Sequence, residues 1–307
     1  MRLFDLHCDT LVTLGDRKED FLCRETEFSL CEQKKFRRLC QTMAIFIPDR
    51  LRGDEAFAYF CKYRIYLEEI LKKQSELAER VTCGSDIRRI TDQGKCAVIL
   101  AVESGAALGG NLERVEDLAK YGVKIMTLVW NGENELGSGH DTEKGITPFG
   151  RKVIRKMEEN KILVDVSHLN DRGFDEVYEM AERPFVATHS NLRSICSHRR
   201  NLTEEQFCRI RAKNGLVGIN LHQEFLSDTG TGTEEDVYRH VERMLELGGE
   251  HVIACGSDFD GADIHASLNT PVKFAKLAEN MLKRGIKETI VDNIFFENAE
   301  RFFRENV

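Results

Sequence analysis

Six positions carry the side chains with which this chain could do chemistry: His7, Asp9, Glu103, His168, His189 and Asp258. Each follows a short apolar run. Leu3 to Leu6 leads into His7-Cys8-Asp9, and Ala97-Val98-Ile99-Leu100-Ala101-Val102 leads into Glu103. Val164-Asp165-Val166-Ser167 precedes His168, Phe185-Val186-Ala187-Thr188 precedes His189, and Ile253-Ala254-Cys255-Gly256-Ser257 precedes Asp258. Alternate residues of a strand share a face, so His7 and Asp9 are expected to present an imidazole and a carboxylate together. These are metal-ligand types. Three imidazoles and two carboxylates are more than one tetrahedral catalytic zinc takes from a protein. They suit two ions about 3.5–4 Å apart, provided that one carboxylate bridges them. Glu103 is the expected bridge, because its strand should lie between the first and the fifth. Nitrogen and oxygen donors without thiolate favour Zn²⁺, with Mn²⁺ or Co²⁺ as substitutes. Such a pair acidifies a shared water to hydroxide near neutral pH and polarises a carbonyl oxygen.

The elements that must position these groups follow from hydrophobic periodicity. Eight apolar, β-rich runs are expected as strands: Leu3–His7, Thr42–Ile47, Cys96–Val102, Lys124–Val129, Ile162–Val166, Phe185–Thr188, Leu216–Asn220 and Val252–Gly256. Amphipathic stretches alternate with them at Glu55–Arg80, Leu112–Lys120, Gly150–Asn160, Arg172–Ala181, Glu204–Lys213 and Glu234–Leu247. Thr147-Pro148 supplies an N-cap and a first-turn proline, and Thr203-x-x-Gln206 is a capping box. Helices at about Val272–Lys283 and Lys287–Arg304 close the chain. Strands this apolar on both faces belong in a parallel sheet. Eight such units in 307 residues fit a (β/α)₈ TIM-type barrel forming one domain over 1–307, with two C-terminal helices. Barrel chemistry sits at the C-terminal ends of the strands, where these polar residues fall.

Six stretches, in order, resemble the membrane (renal) dipeptidase family of zinc peptidases, within the amidohydrolase barrels. They are Asp5-Leu6-His7-Cys8-Asp9-Thr10, Val102-Glu103-Ser104-Gly105-Ala106-Ala107-Leu108 and Leu163-Val164-Asp165-Val166-Ser167-His168-Leu169, then Ala187-Thr188-His189-Ser190-Asn191, His198-Arg199-Arg200-Asn201-Leu202-Thr203 and Gly256-Ser257-Asp258-Phe259-Asp260-Gly261. The resemblance implies hydrolysis of free dipeptides with two zinc ions. One would be held by His7, Asp9 and bridging Glu103, the other by Glu103, His168 and His189. It also implies that Asp258 handles protons and that Arg200 receives the substrate's terminal carboxylate, a task suited to a guanidinium. The family pattern places its functional arginine directly before Asn, which selects Arg200 over Arg199. One departure stands out. Family members commonly have a histidine at the end of the fourth strand, where this chain has Trp130 followed by Asn131. An indole donates one hydrogen bond but takes up no proton. Oxyanion stabilisation would then rest on zinc alone, on Trp130 or on Asn131.

The remaining residues bound the alternatives. A deaminase of the same superfamily would usually open with His-x-His and hold one ion, against His7-x-Asp9 and Glu103. Lactonase and dihydroorotase relatives often use a carboxylated lysine at the fourth strand, and Leu128-Val129-Trp130 offers none. A metal-stabilised binding protein without activity is the non-enzyme alternative, motivated by Trp130. Asp5 is expected to share the face of His7 and Asp9, either orienting a ligand imidazole or making a structural contact. Asp260 reads as a turn residue, and His140 and His222 as loop residues near the mouth. A net charge of −8 disfavours nucleic acid and anionic membrane as partners. No apolar run is long enough for a transmembrane helix. The ten scattered cysteines and the immediate entry into a strand predict a reduced, cytoplasmic protein without a signal peptide, like the shorter microbial branch of the family. A homodimer contact on the long helix after the second strand is the minority expectation there.

Overall fold

The computed structural model describes residues 1–307. Its strands are β1 (Arg2–Asp5), β2 (Arg38–Phe46), β3 (Ala78–Arg80), β4 (Cys96–Glu103), β5 (Val123–Thr127), β6 (Leu163–Asp165), β7 (Val186–Ala187), β8 (Leu216–Ile219) and β9 (Ile253–Cys255). All neighbours are parallel, and β1-β2-β4-β5-β6-β7-β8-β9 closes into an eight-stranded barrel through the pairing of Asp5 with Cys255. The expected (β/α)₈ barrel is therefore the observed fold, and all eight predicted runs contribute a strand.

The ninth strand, β3, is a correction. The amphipathic stretch expected as one helix, Glu55–Arg80, is helical only over Gly53–Lys73, and Ala78–Arg80 then pairs with the lower half of β4. β5 takes over the same edge higher up, at Leu100–Glu103. Three residues reading Ala-Glu-Arg carry no apolar alternation, so only the free lower edge of β4 makes them a strand. The last predicted helix, Lys287–Arg304, is likewise broken: Glu288–Asp292 and Asn298–Asn306 flank a π turn at Asn293–Glu297. Short helices at Thr10–Arg17, Asp86–Asp92 and Gln223–Leu226 add to those expected.

Strand alternation sorts the interior. Phe4, Cys40, Ala44, Ala97, Ile99, Ala101, Ile125, Leu163, Val186, Leu216 and Ala254 form one buried apolar cluster inside the barrel. The base of that cluster is closed by Phe296, Phe302 and Phe303 of the C-terminal segment, with Phe4 5.1 Å from Phe303 between ring centroids. Intervening residues such as Leu39, Met43, Val98 and Leu100 face the surrounding helices in a larger cluster. By the same period-two rule Ala97, Ile99, Ala101 and Glu103 share a face. Glu103, at the C-terminal end of that row, thus projects into the mouth. The two capping predictions hold: Thr147 Oγ accepts from Gly150 N–H with Pro148 in the first turn, and Thr203 and Gln206 form a reciprocal box.

Candidate metal centre

Above the apolar interior lies a layer of buried polar groups. Asp165, the last residue of β6, accepts from the hydroxyls of Thr127 (2.7 Å) and Thr188 (2.6 Å) and from the N–H groups of Ser167 and Thr188 (3.0 Å each). Its four bonds fix the ends of β5, β6 and β7 together. Thr188 has one proton, given to Asp165, so its oxygen accepts from His189 Nδ1 at 2.7 Å. His168 Nδ1 lies 2.8 Å from Asn131 Oδ1, which can only accept. Both rings therefore carry their proton on Nδ1 and turn a bare Nε2 lone pair inward. Those two lone pairs face each other at 2.9 Å, and Glu103 Oε1 lies 2.8 Å from His168 Nε2 and 3.8 Å from His189 Nε2. Three electron-rich atoms converging in a buried space repel unless a cation sits among them.

The second group has the same character. His7 Nε2 is buried and has no hydrogen-bond partner. It is 3.7 Å from Asp9 Oδ2, 3.7 Å from Glu103 Oε2 and 3.9 Å from Asp258 Oδ1. Such spacings are too long for hydrogen bonds but suit ligand atoms around one ion at about 2.0–2.2 Å. Asp9 Oδ1 is also orphaned. The donor sets His7–Asp9–Glu103 and Glu103–His168–His189 each converge within 4.8 Å, and Glu103 belongs to both. His7, His189 and Asp258 form a third such set. The residues present thus fit two metal ions, which the five predicted ligands would hold with Glu103 shared.

Electrostatics agree. Burial opposes charge on His7, but Glu103, Asp9 and Asp258 outweigh it and raise its pKa to about 10. Burial, reinforced by Asp9, drives Glu103 well above the carboxylate range, and burial raises Asp258 too. His168 and His189 are pushed well below the usual imidazole value, by burial first and by neighbouring cations second. Excess carboxylate beside neutral imidazoles is an environment that calls for cations.

The other predicted residues occupy distinct places. Asp258 is held by Asn220 Nδ2 to Oδ2 at 3.0 Å, with Oδ1 toward His7. Arg200 is buried and makes no ion pair; Nη1 donates to Ser190 Oγ at 2.8 Å and Nη2 to the His189 carbonyl at 3.0 Å, while Nε has no partner. Arg199 is exposed and reaches only the His140 carbonyl, at 3.2 Å. Trp130 and Asn131 both line the cleft above the centre, a cavity of about 410 Å³. Asn131 is also a positioning residue, because its oxygen is committed to His168. The shared-face reading of Asp5 does not hold. β1 ends at Asp5, so alternation does not carry through to His7 and Asp9. Asp5 instead ties β1 to its neighbours by accepting from Gln41 Nε2 and from Ser257 N–H and Oγ. Asp260 accepts from Thr10 Oγ1 and from Glu27 N–H, pinning two rim loops together. His222 lines the cleft, and His140 is buried beside His168, with ring centroids 6.0 Å apart.

Several contributors were not anticipated from the sequence: Asn220, Thr188, Asp165 as a hub, Ser190 and Phe46. Asp165 had a visible signal, a carboxylate inside the apolar run Leu-Val-Asp-Val. Four of the non-glycine residues with positive φ also gather at this rim: Ser104 (84°), His168 (70°), Asp258 (67°) and Asp260 (63°). Such strain concentrates where surrounding structure must aim a side chain. A Cβ on Gly261 would lie 2.0 Å from Asp9 Oδ2, so any larger residue there would displace that carboxylate.

A closed parallel barrel that gathers imidazoles and carboxylates at its C-terminal rim has the architecture of a metal-binding barrel enzyme. The chain belongs to the membrane dipeptidase family (peptidase family M19), whose profile matches residues 1–307. It is 29% identical over 233 residues to an uncharacterized Klebsiella pneumoniae protein encoded in the pqqA 5′ region, covering 72% of this chain and 86% of that one. It is 27% identical over 246 residues to dipeptidase tcpJ of Claviceps purpurea, covering 78% of this chain but 58% of the fungal protein. A Rhodobacter sphaeroides metallo peptidase, solved with a phosphinate mimic of L-Ala-D-Ala, superposes with a TM-score of 0.93 at 24% identity, covering 100% of this chain and 99% of its own. The M19 dipeptidase AC gives 0.93 at 25% identity, with 100% and 98% covered. Membership in this metallopeptidase family implies a metal cofactor and a small peptide as substrate.

Proposed function

We propose that this protein is a dinuclear zinc dipeptidase that hydrolyses the peptide bond of free dipeptides, acting in the cytoplasm. One observation carries the reading: two imidazole lone pairs 2.9 Å apart beside a shared carboxylate, with a third imidazole and two more carboxylates within ligand reach. His7, Asp9 and Glu103 would hold one ion and Glu103, His168 and His189 the other. When bound, the pair supplies an acidified water and a Lewis acid for the scissile carbonyl.

The chain's own groups do the rest. Asn131 and Thr188 hold the rings of His168 and His189 in the tautomer that leaves Nε2 free. Asp258, anchored by Asn220, takes the proton of the attacking water on its carboxylate and returns it to the nitrogen of the leaving amine. Arg200 recognises the terminal carboxylate. A buried guanidinium without an anionic partner is costly, so a substrate anion that reaches it gains strongly. That preference separates a dipeptidase from a general peptidase, because a longer peptide moves its carboxylate out of reach.

Hydrolysis of free and C-terminally amidated dipeptides by zinc-loaded protein tests the reading. Free dipeptides should be preferred, and Arg200→Ala should lower kcat/KM on them by roughly 10- to 150-fold while changing the amide little. Arg199→Ala should discriminate less. Equal rates on free and amidated substrate in the parent would refute carboxylate recognition.

A further inference from the structure

We infer that the cleft selects dipeptides by their N-terminal side chain, and that Phe46, Trp130 and Val12 form an apolar wall that receives it. The inference rests on the dipeptidase reading and adds the substrate class. Phe46 is the last residue of β2, and Trp130 follows β5 by three residues. Arg200 lies in the loop after β7 with its guanidinium 5.8 Å from the ring of Phe225, which follows β8. In the barrel order β1-β2-β4-β5-β6-β7-β8-β9 the Phe46–Trp130 pair and the Arg200–Phe225 pair occupy opposite halves of the rim. The metal ligands lie on the floor between them. A dipeptide whose carboxylate meets Arg200 across that floor must extend its N-terminal residue toward Phe46 and Trp130.

That wall is built to be rigid. The Phe46 and Trp130 rings meet edge-on, 4.8 Å apart at 66°, so each limits the other's rotamers. Behind them the backbone is close-packed: a Cβ on Gly139 would lie 2.0 Å from the Trp130 carbonyl oxygen. Gly132 N–H is tied to Asp49 Oδ2 at 2.9 Å. Val12, from the helix Thr10–Arg17, completes the surface, and Phe46, Trp130 and Val12 are all half-buried and line the cleft. None of the three carries a charge, so the wall itself offers a charged N-terminal side chain no ion partner for the hydration it loses. An aliphatic or aromatic one would bury apolar area against a surface already in place.

The experiment compares X-Ala dipeptides (X = Gly, Leu, Phe, Asp, Lys) with the reversed Ala-X series on the zinc-loaded full chain. Phe-Ala and Leu-Ala should exceed Gly-Ala in kcat/KM by roughly 10- to 100-fold, with Asp-Ala and Lys-Ala no better than Gly-Ala. Phe46→Ala and Trp130→Ala should compress the Phe-Ala to Gly-Ala ratio several-fold and leave the Ala-Phe to Ala-Gly ratio where it was. A second readout needs no turnover. Trp130 is the chain's sole tryptophan, so its emission reports on this wall alone. Leucine, added as the product amino acid, should shift that emission to the blue saturably where glycine does not, and Phe46→Ala should weaken the response. Equal Gly-Ala and Phe-Ala rates with no leucine-dependent shift would overturn the inference while leaving the dipeptidase reading intact. Selectivity that moves in the Ala-X series instead would also overturn it. If no dipeptide is hydrolysed, the functional reading fails, and the leucine shift still decides for or against the wall.

Discussion

Asp258 shows how one carboxylate differs from its neighbours by environment. Asp9 and Glu103 point at imidazole nitrogens that also need a cation, whereas one oxygen of Asp258 is occupied by Asn220. Its proposed work is proton transfer, so removing its basicity should leave the five proposed ligands in place. Asp258→Asn is expected to retain most of its zinc while kcat falls by roughly 10²-fold or more. Metal analysis alongside steady-state kinetics checks this, and a parental kcat would refute the assignment. The buried guanidinium of Arg200 is a parallel case: burial lowers its pKa to about 10, yet it stays charged at neutral pH and keeps its demand for an anion.

At the scale of elements, the rim loops are held by buried polar brackets. His240, on the helix Glu234–Glu246, accepts from Leu192 N–H on Nδ1 and lies 3.1 Å from the Leu226 carbonyl on Nε2. It thereby joins the Arg200 loop to the short helix bearing Phe225, and Asn191 and Asn201 reinforce the joint by donating to the Phe225 carbonyl. Burial keeps this imidazole neutral, with a pKa lowered to about 4. The unfolded chain takes up that proton near 6.5 and the folded chain resists it to about 4. Protons therefore favour unfolding across that window, and stability should fall as pH drops from about 6.5 to about 4. The loss is on the order of 3 kcal/mol, at about 1.4 kcal/mol per pH unit. Denaturant titrations at several pH values should show that slope, and His240→Gln should flatten it. An unchanged slope in the variant would place the effect elsewhere.

Over the whole molecule, metal binding and folding are expected to be coupled. His7, Asp9, Glu103 and Asp258 share one buried space, and three carboxylates there repel one another without a cation. The native protein should bind about two zinc equivalents, and Glu103→Gln should lose much of that. Stripping zinc with a chelator should lower Tm by several degrees, since an ion at 100 times its Kd contributes about 2.7 kcal/mol. Re-addition should restore it. One tightly held ion, indifferent to loss of His168 or His189, would contradict the dinuclear centre. No helix is long and apolar enough to cross a membrane.

The eight barrel strands, their closure and the placement of six polar residues at strand ends were legible in the sequence because they depend on local periodicity and on one architectural rule. Boundaries set by local chemistry were legible too, as at Thr147-Pro148 and Thr203-x-x-Gln206. What lay beyond reach depends on partners distant in sequence. β3 exists because β4 has a free lower edge, and Asp5 makes structural bonds because β1 ends there and Gln41 and Ser257 donate to it. Asn131 and Thr188 become ring-orienting residues only once β5, β6 and β7 bring them beside His168 and His189. The Phe46–Trp130 contact joins the last residue of β2 to a residue just past β5, with β4 between them. Residue types and spacing therefore pointed to the candidate donor residues and to the rim on which they sit. The tertiary structure alone decided tautomers, which carboxylate oxygen faces which imidazole, and which guanidinium is buried, because each depends on contacts that exist only when the barrel is closed.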